Sequence, residues 1–287
     1  MKPAKIEDFQ LDARKDNEVH YGYLYNLEIV LPFQTKKYQK RMMRVWVPGD
    51  FDINKEYGVL YMSDGQNAVD EKLTAYGEWD MEDHFRNLEK QGYPQFIIVG
   101  IDCPANGKAR AFEYLPAPNT AFQFLVGKPL GKAFGEYLVE EIVPFINSHF
   151  KINPELVGFC GSSMGGLISF YICSKYKEIF KFCVSFSPAF HCYKQKQLLE
   201  SFQKAGFDPK TFPIYSFYMG GGDKLERELK PECDYMVSLL KEAGFDETKM
   251  EYRIDMAMPH HEKAWSKHIE ASLRFVLDRL GYRPLEK

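Results

Sequence analysis

Apolar positions along the chain fall into two alternating rhythms. Near the start, VHYGYLYNLEIVLP, KRMMRVWVPGDF and YGVLYMSDG are rich in β-branched and aromatic residues and closed by Pro, Gly or Asp, which predicts three strands. QFIIVGIDC is an unbroken apolar run, the pattern of a strand buried on both faces of a sheet. Before it, Trp79, Met81, Phe85 and Leu88 recur at helical spacing. GKAFGEYLVEEIVPFINSHF puts Phe134, Tyr137, Leu138, Ile142, Phe145 and Ile146 on one helical face, and Pro144, which has no amide hydrogen, is expected to bend or restart that helix. LVGFC, KFCVSF, PIYSFYMG and MEYRIDMAM predict four more strands, alternating with helical patterns around Leu167 to Tyr176, Cys233 to Ala243 and Ala264 to Leu280. Such alternation predicts an α/β fold, a mostly parallel sheet wrapped by helices, here as one domain over residues 1–287. Between Pro104 and Lys132 no period is visible, so this stretch reads as a long irregular excursion of the kind that lines sites.

Composition narrows the partners. With 45% apolar residues, 23 Phe and 18 Tyr in 287 residues, the chain can build a large core and an aromatic pocket. Its net charge of −3, with no basic block, gives no electrostatic reason to expect nucleic acid or an anionic membrane. The opening MKPAKIEDFQ lacks the apolar stretch of a secretion signal, and no run reaches the roughly 18 apolar residues of a membrane helix, so a cytoplasmic protein is expected. Six cysteines without a CxxC pair read as buried free thiols.

The chemistry concentrates in GFCGSSMGGLISFY. It matches neither a phosphate loop nor a dinucleotide fingerprint, since the required glycine and lysine spacings are absent. It does match GxSxG, as Gly161, Ser162, Ser163, Met164 and Gly165, after an apolar strand and before a helical pattern. A nucleophile elbow needs that context, a strand turning sharply into a helix so that one serine projects at the sheet edge. Ser163 alone has glycine two residues before and two after, so it is the candidate nucleophile and Ser162 its small neighbour.

Three strand ends supply its expected partners. After VLYM comes Ser63, Asp64, Gly65, Gln66, Asn67, where an oxyanion loop belongs; the amides of Gln66 and Met164 are the candidate donors. PIYSFYM runs into three glycines and Asp223, a candidate orienting acid, with Asp255 and Glu262 as alternatives. MEYRIDM runs into His260 and His261, either of which could be the base, His260 being preferred. Ser, Asp, His is the chain order of α/β hydrolases, and the set suits acyl transfer through a serine whose proton passes to imidazole. Trp79, Arg110, Tyr114, Phe124, Phe190 and Trp265 are candidate pocket walls, with Arg110 meeting either a substrate carboxylate or Glu113. His20, His84, His149, His191 and His268 show no metal-binding spacing, so no metal or other cofactor is expected.

Together VWVPGDF, YMSDGQN, GEWDMED, FIIVGID, RAFEYLP, GFCGSSMGGLISFY, SFSPAF and PHHEKAW resemble the "Putative esterase" group of α/β hydrolases, which includes esterase D and the enterochelin, feruloyl and acetylxylan esterases. The resemblance implies an α/β-hydrolase fold: a single three-layer domain around an eight-stranded, mainly parallel sheet. It also implies that the first histidine of PHHEKAW, His260, is catalytic. His261 stands where such relatives carry Asn, and the acid is the least constant member among them. The implied activity is serine carboxylesterase action on small or carbohydrate-linked acyl esters without a cofactor. Acyl transfer by the same residues, or an idle fold kept for binding, are the alternatives. The implied partner is a small-molecule or carbohydrate ester, and a homo-oligomer is left open.

Overall fold

Eight strands carry the sheet: β1 (Gly22–Val30), β2 (Lys40–Pro48), β3 (Tyr57–Ser63), β4 (Phe96–Ile101), β5 (Ile152–Ser162), β6 (Phe182–Phe186), β7 (Ile214–Gly220) and β8 (Met250–Asp255). The computed structural model describes residues 4–5, 18–19, 21–69, 74, 77–116, 128–204 and 206–282. The spatial order is β1-β2-β4-β3-β5-β6-β7-β8, antiparallel over β1, β2 and β4 and parallel from β4 onward. Two further strands of two residues each, Ala4–Lys5 and Glu18–Val19, pair with β1, so the sheet exceeds the eight strands expected.

The helices are α1 (Met81–Lys90), α2 (Gly107–Tyr114), α3 (Gly131–Tyr137), α4 (Val143–His149), α5 (Met164–Lys175), α6 (Gln195–Lys204), α7 (Lys224–Glu242) and α8 (Glu262–Arg279). Side-chain alternation along the central strands divides the core into two layers. Val59, Tyr61, Ile97, Val99, Val157 and Phe159 face one cluster, which Phe134, Ile146, Leu167, Leu198 and Leu229 cover from α3 to α7. Leu60, Met62, Ile98, Leu156 and Cys160 face the other, covered by Phe85 and Leu88 of α1 and Ile269 and Val276 of α8. The result is the three-layer α/β-hydrolase architecture.

Pro144 restarts its helix as expected: a wide π turn over Leu138–Ile142 separates α3 from α4, and Pro144 sits in the first turn of α4, where a missing amide hydrogen costs no bond. The excursion after Pro104 departs from expectation, because α2 lies within it. Asn106 caps that helix by accepting from the Ala109 amide at 3.0 Å. Its period is masked because Glu113 occupies a fully buried position, where it pairs with Arg41 at 2.8 Å.

The chain leaves β3 toward α1 and β4 on one side and leaves β5 toward α5 and β6 on the other. Such a reversal opens a crevice at the C-terminal ends of β3 and β5, and both signature loops begin there. Close packing behind the elbow is tested at Gly158, which pairs with Phe182. An added Cβ would stand 2.1 Å from the Phe182 ring. Gly158→Ala should cost about 1–3 kcal/mol in urea denaturation, and Phe182→Leu in the same chain should recover part of it.

Candidate active site

Ser163 makes the turn between β5 and α5. Its φ of 56° and ψ of −121° are strained for a residue with a side chain, a cost of about 1–3 kcal/mol that surrounding bonds must hold. They do so from three directions: its amide donates to Phe186 O at 2.8 Å, and its carbonyl accepts from Leu167 at 3.1 Å and Ala189 at 3.0 Å. The flanking glycines answer to contact. A Cβ at Gly161 would stand 2.2 Å from Ser63 Oγ, and one at Gly165 would stand 2.3 Å from the same atom and 2.9 Å from Asp64 Oδ2. From Leu156 through Ser174 every residue is buried except Ser163. Ser162 is the last residue of β5, paired with Phe186, so the strand ends on one serine and the turn displays the other.

His260 lies beyond the end of β8, on a turn held by Met258, whose carbonyl accepts from Gly221 at 3.1 Å and Gly222 at 2.8 Å. Its ring stands edge-on to Trp265, with centroids 4.9 Å apart. Nδ1 of His260 meets Glu226 Oε1 at 3.1 Å. Glu226, in the first turn of α7, is fully buried and also accepts from Ser187 Oγ at 2.5 Å and from the Gly220 amide at 3.1 Å. Trp265 Nε1 in turn donates to Ser187 Oγ at 3.1 Å. A carboxylate facing Nδ1 favours the tautomer protonated there, which leaves Nε2 free to accept. The segment from Phe186 to Ala189 thus braces both halves of the site, since its ends bond the main chain of Ser163 and its Ser187 hydroxyl bonds Glu226.

Asp223, expected to orient the imidazole, does not face it. Its Oδ1 accepts from the Glu226 amide at 2.8 Å as the N-cap of α7, and its Oδ2 accepts from the main-chain amide of His260 at 2.7 Å. Burial pushes its pKa up, but these two amides and the His260 charge outweigh that and hold the carboxyl below its ordinary value. Asp255 instead meets His268 Nε2 at 3.1 Å, Glu262 meets Asn67 Nδ2 at 3.4 Å, and His261 caps α8 through the Lys263 amide. None of these contacts involves the His260 ring. Glu226 was missed by the sequence reading, although Asp223 and Glu226 form the D-x-x-E signature of a capped helix start.

The loop after β3 is fixed from all sides. Asp64 adopts a left-handed conformation, φ 56° and ψ 47°, and opens a single helical turn over Gly65–Asn67. Arg110 grips both oxygens of Asp64, at 2.7 and 2.8 Å, while the Asp64 amide donates to Tyr114 Oη at 3.1 Å. The Gln66 side chain folds back onto Cys103, accepting from its amide at 3.1 Å and donating to its sulfur at 3.3 Å. Arg110 is therefore paired with Asp64 and not with Glu113, whose partner is Arg41. Trp79, Tyr114, Phe190 and Trp265, expected as pocket walls, are no more than 3% exposed and pack inside the core. Phe124 lies outside the described residues. Among the described residues no cluster of three or more His, Cys, Asp or Glu could hold a metal, and no helix is long and apolar enough to cross a membrane.

Residues 37–273 match the family described as "Putative esterase". The chain belongs to this family. As an esterase it is 22% identical over 245 residues to the uncharacterized protein YbbA of Bacillus subtilis (strain 168), covering 82% of this chain and 92% of that protein. Among solved structures, the BES protein from Bacillus cereus superposes with a TM-score of 0.69 at 17% identity, covering 94% of this chain and 99% of that one. A ferulic acid esterase superposes with a TM-score of 0.67 at 16% identity, covering 91% and 100%. Membership in the family makes the chain a hydrolase of ester bonds by class, and the structural likeness establishes the fold.

The lowered pKa of Asp223 has a sign that can be checked. A carboxyl whose pKa is depressed by folding adds stability that is present above its unfolded value, near 3.8, and is lost as pH falls through the folded value. Asp223→Asn should therefore be less stable than the wild type at pH 7, and denaturant melts of the two should converge as pH drops below about 4.

Proposed function

We propose that the chain is a serine carboxylesterase that works through an acyl enzyme, with Ser163 as nucleophile, His260 as base and Glu226 as the orienting acid. The observation that carries this reading is an imidazole whose Nδ1 faces a buried carboxylate, at the same edge of the sheet as a strained elbow on which Ser163 alone is not buried. As Ser163 Oγ attacks the ester carbonyl, His260 Nε2 takes its proton; the oxyanion that forms receives the amides of Met164 and Gln66. Collapse breaks the bond to the alcohol, which leaves with the proton held by His260. Water then enters by the same route, deprotonated by His260, and releases the acid. Glu226 takes no proton in either half; it fixes the tautomer and stabilises the imidazolium. Each oxyanion amide contributes about 3–4 kcal/mol to the barrier reduction.

Arg110 serves this chemistry by position. With Asp64 held at both oxygens, the turn over Gly65–Asn67 cannot drift from Gly165, next to the nucleophile. The substrate class supported is an ester of a small or carbohydrate-linked acyl group, a range that includes the ferulic acid esters named for the ferulic acid esterase of the same fold.

A fluorophosphonate probe should label the wild type and not Ser163→Ala; a wild type that stays unlabelled overturns the serine mechanism. The acid is assigned by a pair of variants assayed on a p-nitrophenyl ester. Glu226→Gln should lose roughly 10³–10⁴-fold in kcat, whereas Asp223→Asn should stay within about tenfold. The reverse ranking would return the acid's role to Asp223.

A further inference from the structure

The two outer edges of the sheet are finished differently. Outside β1 lie the two short strands at Ala4–Lys5 and Glu18–Val19, whereas among the described residues the sheet order ends at β8. An unpaired edge offers a row of amide and carbonyl groups to any strand that can lie against it. Exposed apolar side chains lie on this strand and just past it: Ile254 is on β8 and Met256 directly follows it, 42% and 56% exposed.

Charge decides what fits. The strand reads Met250, Glu251, Tyr252, Arg253, Ile254, Asp255, and about Tyr252 it is its own complement. Turned end for end, Glu251 faces Arg253 and Met250 faces Ile254, each pair occurring twice. In an antiparallel pair, opposed residues point to the same face with Cβ atoms about 4.5–5.5 Å apart. Strand alternation places the charged residues on one face and Met250, Tyr252 and Ile254 on the other, so both faces match at once.

We propose that β8 is an interface for a second copy of this chain, pairing antiparallel with the partner's β8 about a two-fold axis at Tyr252. Such an interface is isologous, the same patch serving both copies. Within one chain Arg253 Nη2 already meets Glu251 Oε1 at 2.5 Å, so pairing joins two such pairs into a four-charge network across the axis. Tyr252 Oη donates to Asp234 at 2.6 Å, which ties the middle of the edge strand to α7. Because the strands run oppositely, the two Ser163 turns open on opposite sides of the joined sheet. The inference uses no catalytic group and stands independently of the proposed mechanism.

Light scattering coupled to size exclusion should give the wild type twice the 33.4 kDa chain mass. Glu251→Arg and Arg253→Glu each set like charges opposite one another at both symmetric positions, and each alone should weaken association by about 100-fold or more. Mixed in equal amounts, they restore both opposite-charge pairs and should return to the dimer mass. Ile254→Asp, at a side chain already in water, should also give the single-chain mass without disturbing the bond from Ser216 Oγ to Glu251. Circular dichroism confirms that each variant is folded. A wild type at 33.4 kDa, a dimer indifferent to both charge reversals, or a mixture that stays dissociated would each overturn the proposal.

Discussion

The site depends on one buried carboxylate. Glu226 lies wholly out of water, and a carboxylate in that position is tolerated only when hydrogen-bond donors replace its hydration. Its three donors come from separate parts of the chain: the Ser187 hydroxyl after β6, the Gly220 amide at the end of β7 and the His260 ring after β8. Satisfying Glu226 therefore gathers three strand ends into one arrangement, and the imidazole is aimed as a consequence. Asp223 secures the same junction from outside by tying the start of α7 to the main chain of His260.

The other half of the crevice is governed by close approach rather than by charge. Ser63, Asp64, Gly161 and Gly165 meet so tightly that neither glycine could carry a methyl group without displacing the β3 loop. The strained backbone of Ser163 survives because Phe186, Leu167 and Ala189 bond it on both sides. The Arg110 and Asp64 pair then locks the loop that stands across from it. Neither half would be positioned without the sheet order, which reverses between β3 and β5.

What could be read from the chain alone divides along the range of the interaction. The elbow was legible because its requirement is local: two glycines and a serine at fixed spacing between a strand and a helix. The alternation of strands and helices was legible for the same reason. Glu226 was not, because Pro231 interrupts the helical pattern and hid that α7 begins at Lys224. Asp223, the carboxylate nearest the strand end, was chosen over one that the first helical turn carries inward. Residue type likewise says nothing of depth, so Trp79, Tyr114, Phe190 and Trp265 were expected at the pocket wall and lie in the core. The helix α2 escaped because a buried Glu113, answered by Arg41 some seventy residues earlier, breaks its apolar rhythm.

The central claim, that Glu226 and not Asp223 holds the imidazole, is open to direct observation. Proton NMR of the folded esterase, with the His260 ring N–H assigned by its loss in His260→Ala, reports the acceptor at Nδ1. The account predicts a downfield resonance that stays in place in Asp223→Asn and shifts upfield or disappears in Glu226→Gln. A resonance that moves in Asp223→Asn and is untouched in Glu226→Gln would contradict it.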